Sequence, residues 1–131
     1  MTARVIEIDG SRVHGIPSLY AELNRAFMSD EHWSLGESLD ALDDLLYGGF
    51  GALHGAESAR VVWRQSDAAR AALGVETTRT YLRDKLARPD IYAAAPARRA
   101  LAELEAGRGE TYFDLVVRVF RGHANVELVL A

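Results

Sequence analysis

The sequence contains no cysteine. That absence excludes thiol catalysis, disulfide bonds and cysteine-ligated zinc, and it removes any reason to place the chain in an oxidising compartment, so the cytoplasm is the expected location. No window approaches the eighteen or so uncharged apolar residues of a membrane span. The start, Met1-Thr2-Ala3-Arg4-Val5-Ile6, has neither the basic stretch nor the apolar stretch of a secretion signal. An excess of basic residues is missing as well: 15 lysines and arginines stand against 19 aspartates and glutamates, a net charge of −4. Binding to nucleic acid draws its affinity from basic residues that displace counterions, so direct nucleic-acid binding is not expected. The same sign speeds encounter with a basic protein.

What is present fits one folded domain over residues 1–131. Hydrophobic residues make up 49% and charged residues 26% of the chain, which is ordinary globular usage and enough for a core without staples. No repeat, low-complexity tract or linker divides it. Arg4 to Ile8 is a β-branched run closed by Asp9-Gly10-Ser11, which predicts a first strand and a turn. Ile16, Leu19, Leu23, Ala26 and Phe27 recur at helical spacing, predicting a helix from Pro17 to Met28. A second strand is expected at Ala59 to Arg64 and a third at Val126 to Leu130. Helices between the first two strands imply parallel pairing. Further helices are expected at Ser66–Leu73, Thr77–Ala87, Ala97–Ala106 and Tyr112–Arg121, whereas Ile91 to Pro96 fits no single element. The expected fold is α/β, with three short strands and several helices.

The stretch from Ser34 to Gly51 concentrates the chemistry. On a helical wheel Leu35, Leu39, Leu42, Leu45 and Leu46 form one apolar arc, and Glu37, Asp40, Asp43 and Asp44 lie outside it with no lysine or arginine among them. Ser34 and Ser38 are both available as caps. A solvated helix face accounts for most such charge runs. Yet Asp40 and Asp44 are like charges at i and i+4, and Asp43 and Asp44 lie toward the helix C-terminus, where the macrodipole disfavours anions. A cationic partner offsets that cost.

Gly36-Glu37-Ser38-Leu39-Asp40-Ala41-Leu42-Asp43-Asp44-Leu45 resembles the Gly-Glu-Asn-Leu-Asp-Ala-Leu-Trp-Asp signature of the barstar family of ribonuclease inhibitors. Val5 to Gly10 with the helix after it, Val62-Trp63-Arg64-Gln65, Val119-Phe120-Arg121 and Val126 to Leu130 are similar to other blocks of that family, in the same order. The resemblance implies a three-stranded parallel sheet packed against helices, with residues 76–110 as a helical insertion before the last helix and strand. It also implies a non-enzymatic inhibitor that blocks a basic ribonuclease cleft with its acidic helix. Asp40 and Asp44 match the family's two aspartates that enter the phosphate-binding cleft. Glu37 and Asp43 then form an acidic surround, and Trp33, Gly48, Gly49 and Phe50 shape the rim. Asp43 stands where the family has tryptophan, and Ser34-Leu35 where it has a tyrosine pair. Trp33 and Phe50 are the nearby aromatics, each open to two readings, interface anchor or core packing.

Other chemistry finds little support. His14, His32, His54 and His123 share no metal-ligand spacing, and neither a metal nor a cofactor is expected. Gly48-Gly49-Phe50-Gly51 does not follow a strand in the dinucleotide pattern, and no serine sits in a nucleophile elbow. Two alternatives remain: an interaction or immunity-type protein with a different basic partner, and a magnesium-dependent phosphoesterase built on the acidic cluster.

Overall fold

Strand character follows the β-branched runs. In the computed structural model, which describes residues 3–131, β1 (Arg4–Asp9), β2 (Ala59–Arg64) and β3 (Val126–Leu130) form one parallel sheet in the order β1-β2-β3. Ile6 lies opposite Val61 and Val61 opposite Leu128, so the alternation of each strand is in phase with its neighbour. Ile6, Ile8, Ala59, Val61, Trp63 and Val126 point to the core. The alternate positions face outward, where Glu7 pairs with Arg64 and Arg60 with Glu127 across the strands.

The inner face is covered by helices whose apolar stripes the sequence announces. These are α1 (Ile16–Phe27) with Leu19, Tyr20, Leu23 and Phe27 buried, α2 (Leu39–Leu46) with Leu42, Leu45 and Leu46, and α6 (Tyr112–Arg121) with Phe113, Val116 and Phe120. Between β2 and α6 run α3 (Ser66–Ala72), α4 (Val75–Leu86) and α5 (Ala94–Glu105). Trp63 is the centre of the core: its ring lies 5.1 Å from Phe113 and 6.4 Å from Phe120, and it is fully buried. Removing a buried ring of that size costs about 3–5 kcal/mol.

Three further points fix the frame. Gly10, in the 3₁₀ turn Gly10–Arg12 after β1, is pressed on the end of β2; any side chain there would run into the carbonyls of Arg64 and Gln65. The carboxylate of Glu22 is buried on α1, accepts from the Asp9 N–H at 2.7 Å and from Arg25 at 2.6 and 2.7 Å, and so ties α1 to the end of β1. The Tyr20 and Tyr112 hydroxyls meet at 2.8 Å inside the core, joining α1 to α6.

α4 and α5 pack on one another and run antiparallel, since Arg79 near the start of α4 reaches Glu105, the last residue of α5. Thr78 of α4 accepts from the Tyr112 N–H at 2.7 Å, and Tyr81 lies edge-on to the Tyr112 ring, so the pair is anchored to the first turn of α6. Residues 91–93 are the end of the connection, and α5 begins at Ala94, earlier than periodicity from Ala97 indicates.

Candidate functional site

α2 is a short helix whose rotation is set from below. Leu42, Leu45 and Leu46 are fully buried. The Ser38 hydroxyl accepts from the Ala41 N–H at 3.1 Å and caps the first turn, a contact worth about 1 kcal/mol. Cap and stripe together turn Asp40 and Asp44 outward, and both are exposed. Among the described residues neither makes an ion pair.

Two sequence expectations are corrected here. The wheel that included Leu35 and Glu37 extends too far, because Ser38 ends the helix on its N-terminal side; Leu35 is buried from the preceding loop, where its N–H donates to Asn24 Oδ1 at 2.7 Å. Glu37 is exposed ahead of the helix. The acidic group is also not wholly unpartnered. Asp43 is half-buried, and its Oδ1 accepts from Nε2 of His123 at 2.7 Å. A carboxylate has no proton to give, so the imidazole nitrogen is the donor.

His123 belongs to the turn between α6 and β3 and is buried. Its ring meets that of Tyr47 edge to face at 4.7 Å and 80°. Asn125, in the same turn, donates to the Leu46 carbonyl at 3.4 Å, which supplies a partner to one of the orphan carbonyls at the end of α2. Two residues about eighty positions from α2 therefore fasten its C-terminal end.

The flanking loops are held to each other. Trp33 precedes α2 and Phe50 follows it, and their rings lie 4.8 Å apart at 51°, with Trp33 43% exposed and Phe50 half-buried. The two rings pack on one another, Phe50 also packs against the core, and Trp33 keeps an accessible edge. Glu31 Oε2 accepts from the Gly51 N–H at 2.8 Å, a second clasp between the loops. Gly51 has φ +73°, and a Cβ there would come within 2.9 Å of the Phe27 carbonyl and 3.0 Å of Leu45. Glycine is required by both conformation and space. Gly48 is half-buried at the helix exit and Gly49 is exposed beside it.

At the other end of α2, Glu37 and Asp40 border a cleft of about 230 Å³ whose far wall is Tyr81, Lys85 and Tyr92. The Lys85 ammonium lies 4.7 Å from the Tyr81 ring centre and 5.3 Å from that of Tyr92. His14, His32 and His54 are exposed and dispersed, and among the described residues no three metal-binding side chains converge. No helix among them is long and apolar enough to cross a membrane.

The structure thus brings Asp40, Asp44 and Asp43 onto one short helix, sets Glu37 at its entrance, and gathers Trp33, Gly48, Gly49 and Phe50 beside it. Sequence reasoning missed Tyr47, Glu31 and His123. Tyr47 was legible, standing three residues after Asp44 and seven after Asp40, whereas nothing in the sequence links His123 to Asp43. A search of curated proteins finds no match to the chain. Residues 3–92, from β1 through α4 to the connection that follows it, match the family model described as Barstar (barnase inhibitor), and the chain belongs to that family.

Proposed function

We propose that this chain inhibits a basic ribonuclease by seating α2 in its active-site cleft. The observation that carries the reading is the pair Asp40 and Asp44, exposed one helical turn apart and without cationic partners among the described residues, in a member of an inhibitor family. A ribonuclease presents arginine, lysine and histidine to a phosphodiester. Two carboxylates about 5–6 Å apart at their Cβ atoms imitate neighbouring phosphates and accept charge-assisted hydrogen bonds from those groups. Glu37 and Asp43 deepen the negative field around them. Trp33, Phe50, Gly48 and Gly49 form the rim, where accessible aromatic edges and a side-chain-free backbone allow close approach.

Rigidity supports the same reading. The helix is set by buried leucines, the Ser38 cap and the His123 and Asn125 contacts, so little freedom is lost when a partner closes on it. Within one domain over residues 1–131, the α4–α5 pair is the helical insertion of residues 76–110, and the chain acts as a binding protein and not as an enzyme. Calorimetric titration of a panel of basic ribonucleases that includes barnase tests this. A complex with one member is expected, weakened at least tenfold by Asp40→Asn or Asp44→Asn; equal binding by both variants refutes it.

A second reading, a basic partner that is not a ribonuclease, is favoured by one feature: the residue in place of the family's tryptophan, Asp43, is turned to His123. Binding to a basic non-nuclease with no response from the ribonuclease panel decides for it.

A further inference from the structure

Asp40, Asp44 and Tyr47 follow one another at spacings of four and three residues. Seven residues at about 100° each close to within about 20° of two full turns, so the three share one stripe. Tyr47 keeps helical backbone angles, φ −70° and ψ −18°, and so stays on the line of the helix. At 72% exposure it is the most accessible of the large apolar side chains described. Isolated exposure of a tyrosine means little, but this ring is not loose. Its edge contact is the buried imidazole of His123, and that imidazole is hydrogen-bonded to the Asp43 carboxylate.

We infer that Tyr47 is the aromatic contact residue of the inhibitory face, oriented by His123 and Asp43, and that it enters the part of the ribonuclease cleft that receives a nucleobase. This rests on the inhibitor reading above. An enzyme that cleaves RNA binds phosphates and, next to them, a flat base, which proteins commonly hold by stacking. A stripe of carboxylate, carboxylate and phenol ring presents the same sequence of chemistry. The arrangement also explains Asp43. With tryptophan absent from that position, the aromatic surface moves one turn along the helix to Tyr47, and the carboxylate becomes the support of the ring's support. His123 and Asp43 are positioning residues in this scheme, and they have no contact of their own with the base site.

The test uses the full chain and the member of the ribonuclease panel that the wild type binds. Tyr47→Ala is expected to weaken binding by tenfold or more, while Tyr47→Phe and Tyr47→Trp bind within about threefold of wild type, because the ring and not the hydroxyl makes the contact. His123→Ala is expected to weaken binding severalfold when Tyr47 is present and by a clearly smaller factor when combined with Tyr47→Ala, the coupling of a residue that acts through the ring; what remains in the double variant is its fastening of α2. A free nucleoside, which has a base and no phosphate, is expected to be excluded from the enzyme by wild type and to regain access in the complex with Tyr47→Ala. Binding by Tyr47→Ala within twofold of wild type overturns the inference and leaves the inhibitor reading to the Asp40 and Asp44 variants. Additive losses from His123→Ala and Tyr47→Ala overturn the positioning role. No binding by any member of the panel overturns both readings together.

Discussion

Asp44→Asn should make the protein more stable and, on the proposed role of α2, a weaker binder of its ribonuclease. Asp44 lies in the last turn of α2, where the helix carries partial negative charge on its unpaired carbonyls; an exposed anion there costs about 0.3–1 kcal/mol. Its i,i+4 neighbour Asp40 adds a like-charge repulsion of about 0.2–0.5 kcal/mol. Asparagine has nearly the same shape and helix propensity, so the substitution removes the charge and little else. The expected gain is about 0.5–1.5 kcal/mol at low salt, a rise in Tm of several degrees for a domain of this size. Asp40→Asn is the control. Asp40 stands in the first turn, where the dipole favours an anion, so loss of that term and relief of the repulsion nearly cancel, leaving stability within about 0.5 kcal/mol of wild type. Thermal melts at low salt and at 1 M salt, where screening acts within about 3 Å, separate the electrostatic part. If Asp44→Asn melts lower than wild type at low salt, the charge is held by something other than a binding function, and the reasoning about α2 is wrong.

Other outcomes follow from the same contacts. Gly51→Ala forces a side chain into a left-handed backbone position against the Phe27 carbonyl, and chemical denaturation should show a loss of about 1–3 kcal/mol. Glu22→Ala removes a buried acceptor from the Asp9 N–H and from Arg25, whose guanidinium that carboxylate holds above its usual range; urea titration should show a loss of about 1–3 kcal/mol. Burial pushes the Tyr112 phenol up to about 12, and burial and its bond to Tyr112 push Tyr20 higher still. Between pH 10 and 12 the unfolded chain therefore releases protons that the folded chain keeps. Stability should fall by up to about 1.4 kcal/mol per pH unit for each phenol, and the double variant Tyr20→Phe, Tyr112→Phe should show a visibly flatter decline. An unchanged slope in that variant contradicts the assignment.

The strands and most helices were legible because their signals are local. β2 and α6 fall where β-branched residues and a helical stripe place them, ended by Gln65 and Gly122. The start of α2 was misread for a physical reason: Leu35 sits at helical spacing from Leu39 and Leu42 and is buried like them, but it reaches the core from a loop held by Asn24. Periodicity cannot distinguish two routes to one core. The acidic pair was visible in the sequence as an electrostatic anomaly. What holds it was not, since the contacts of His123 and Asn125 span 80 and 79 positions and depend on the chain returning to the sheet. The Trp33–Phe50 and Glu31–Gly51 clasps are hidden in the same way, joining two loops that composition describes only as polar or glycine-rich.

The position of β3 has a consequence for how the protein comes into being. β2 is the middle strand and is synthesised long before β3, which closes the sheet through the register Ala59–Val126 to Trp63–Leu130. Until β3 emerges, β2 has an open edge, and the turn that brings His123 and Asn125 to α2 has no strand to anchor it. Pairing across such a span is slow compared with helix formation. On the ribosome the eight residues of α2 are thus made well before they are fastened. Binding competence should arrive late and abruptly, with the last strand, so that a nascent chain halted before Val126 carries the acidic segment without the fixed face that a partner would recognise.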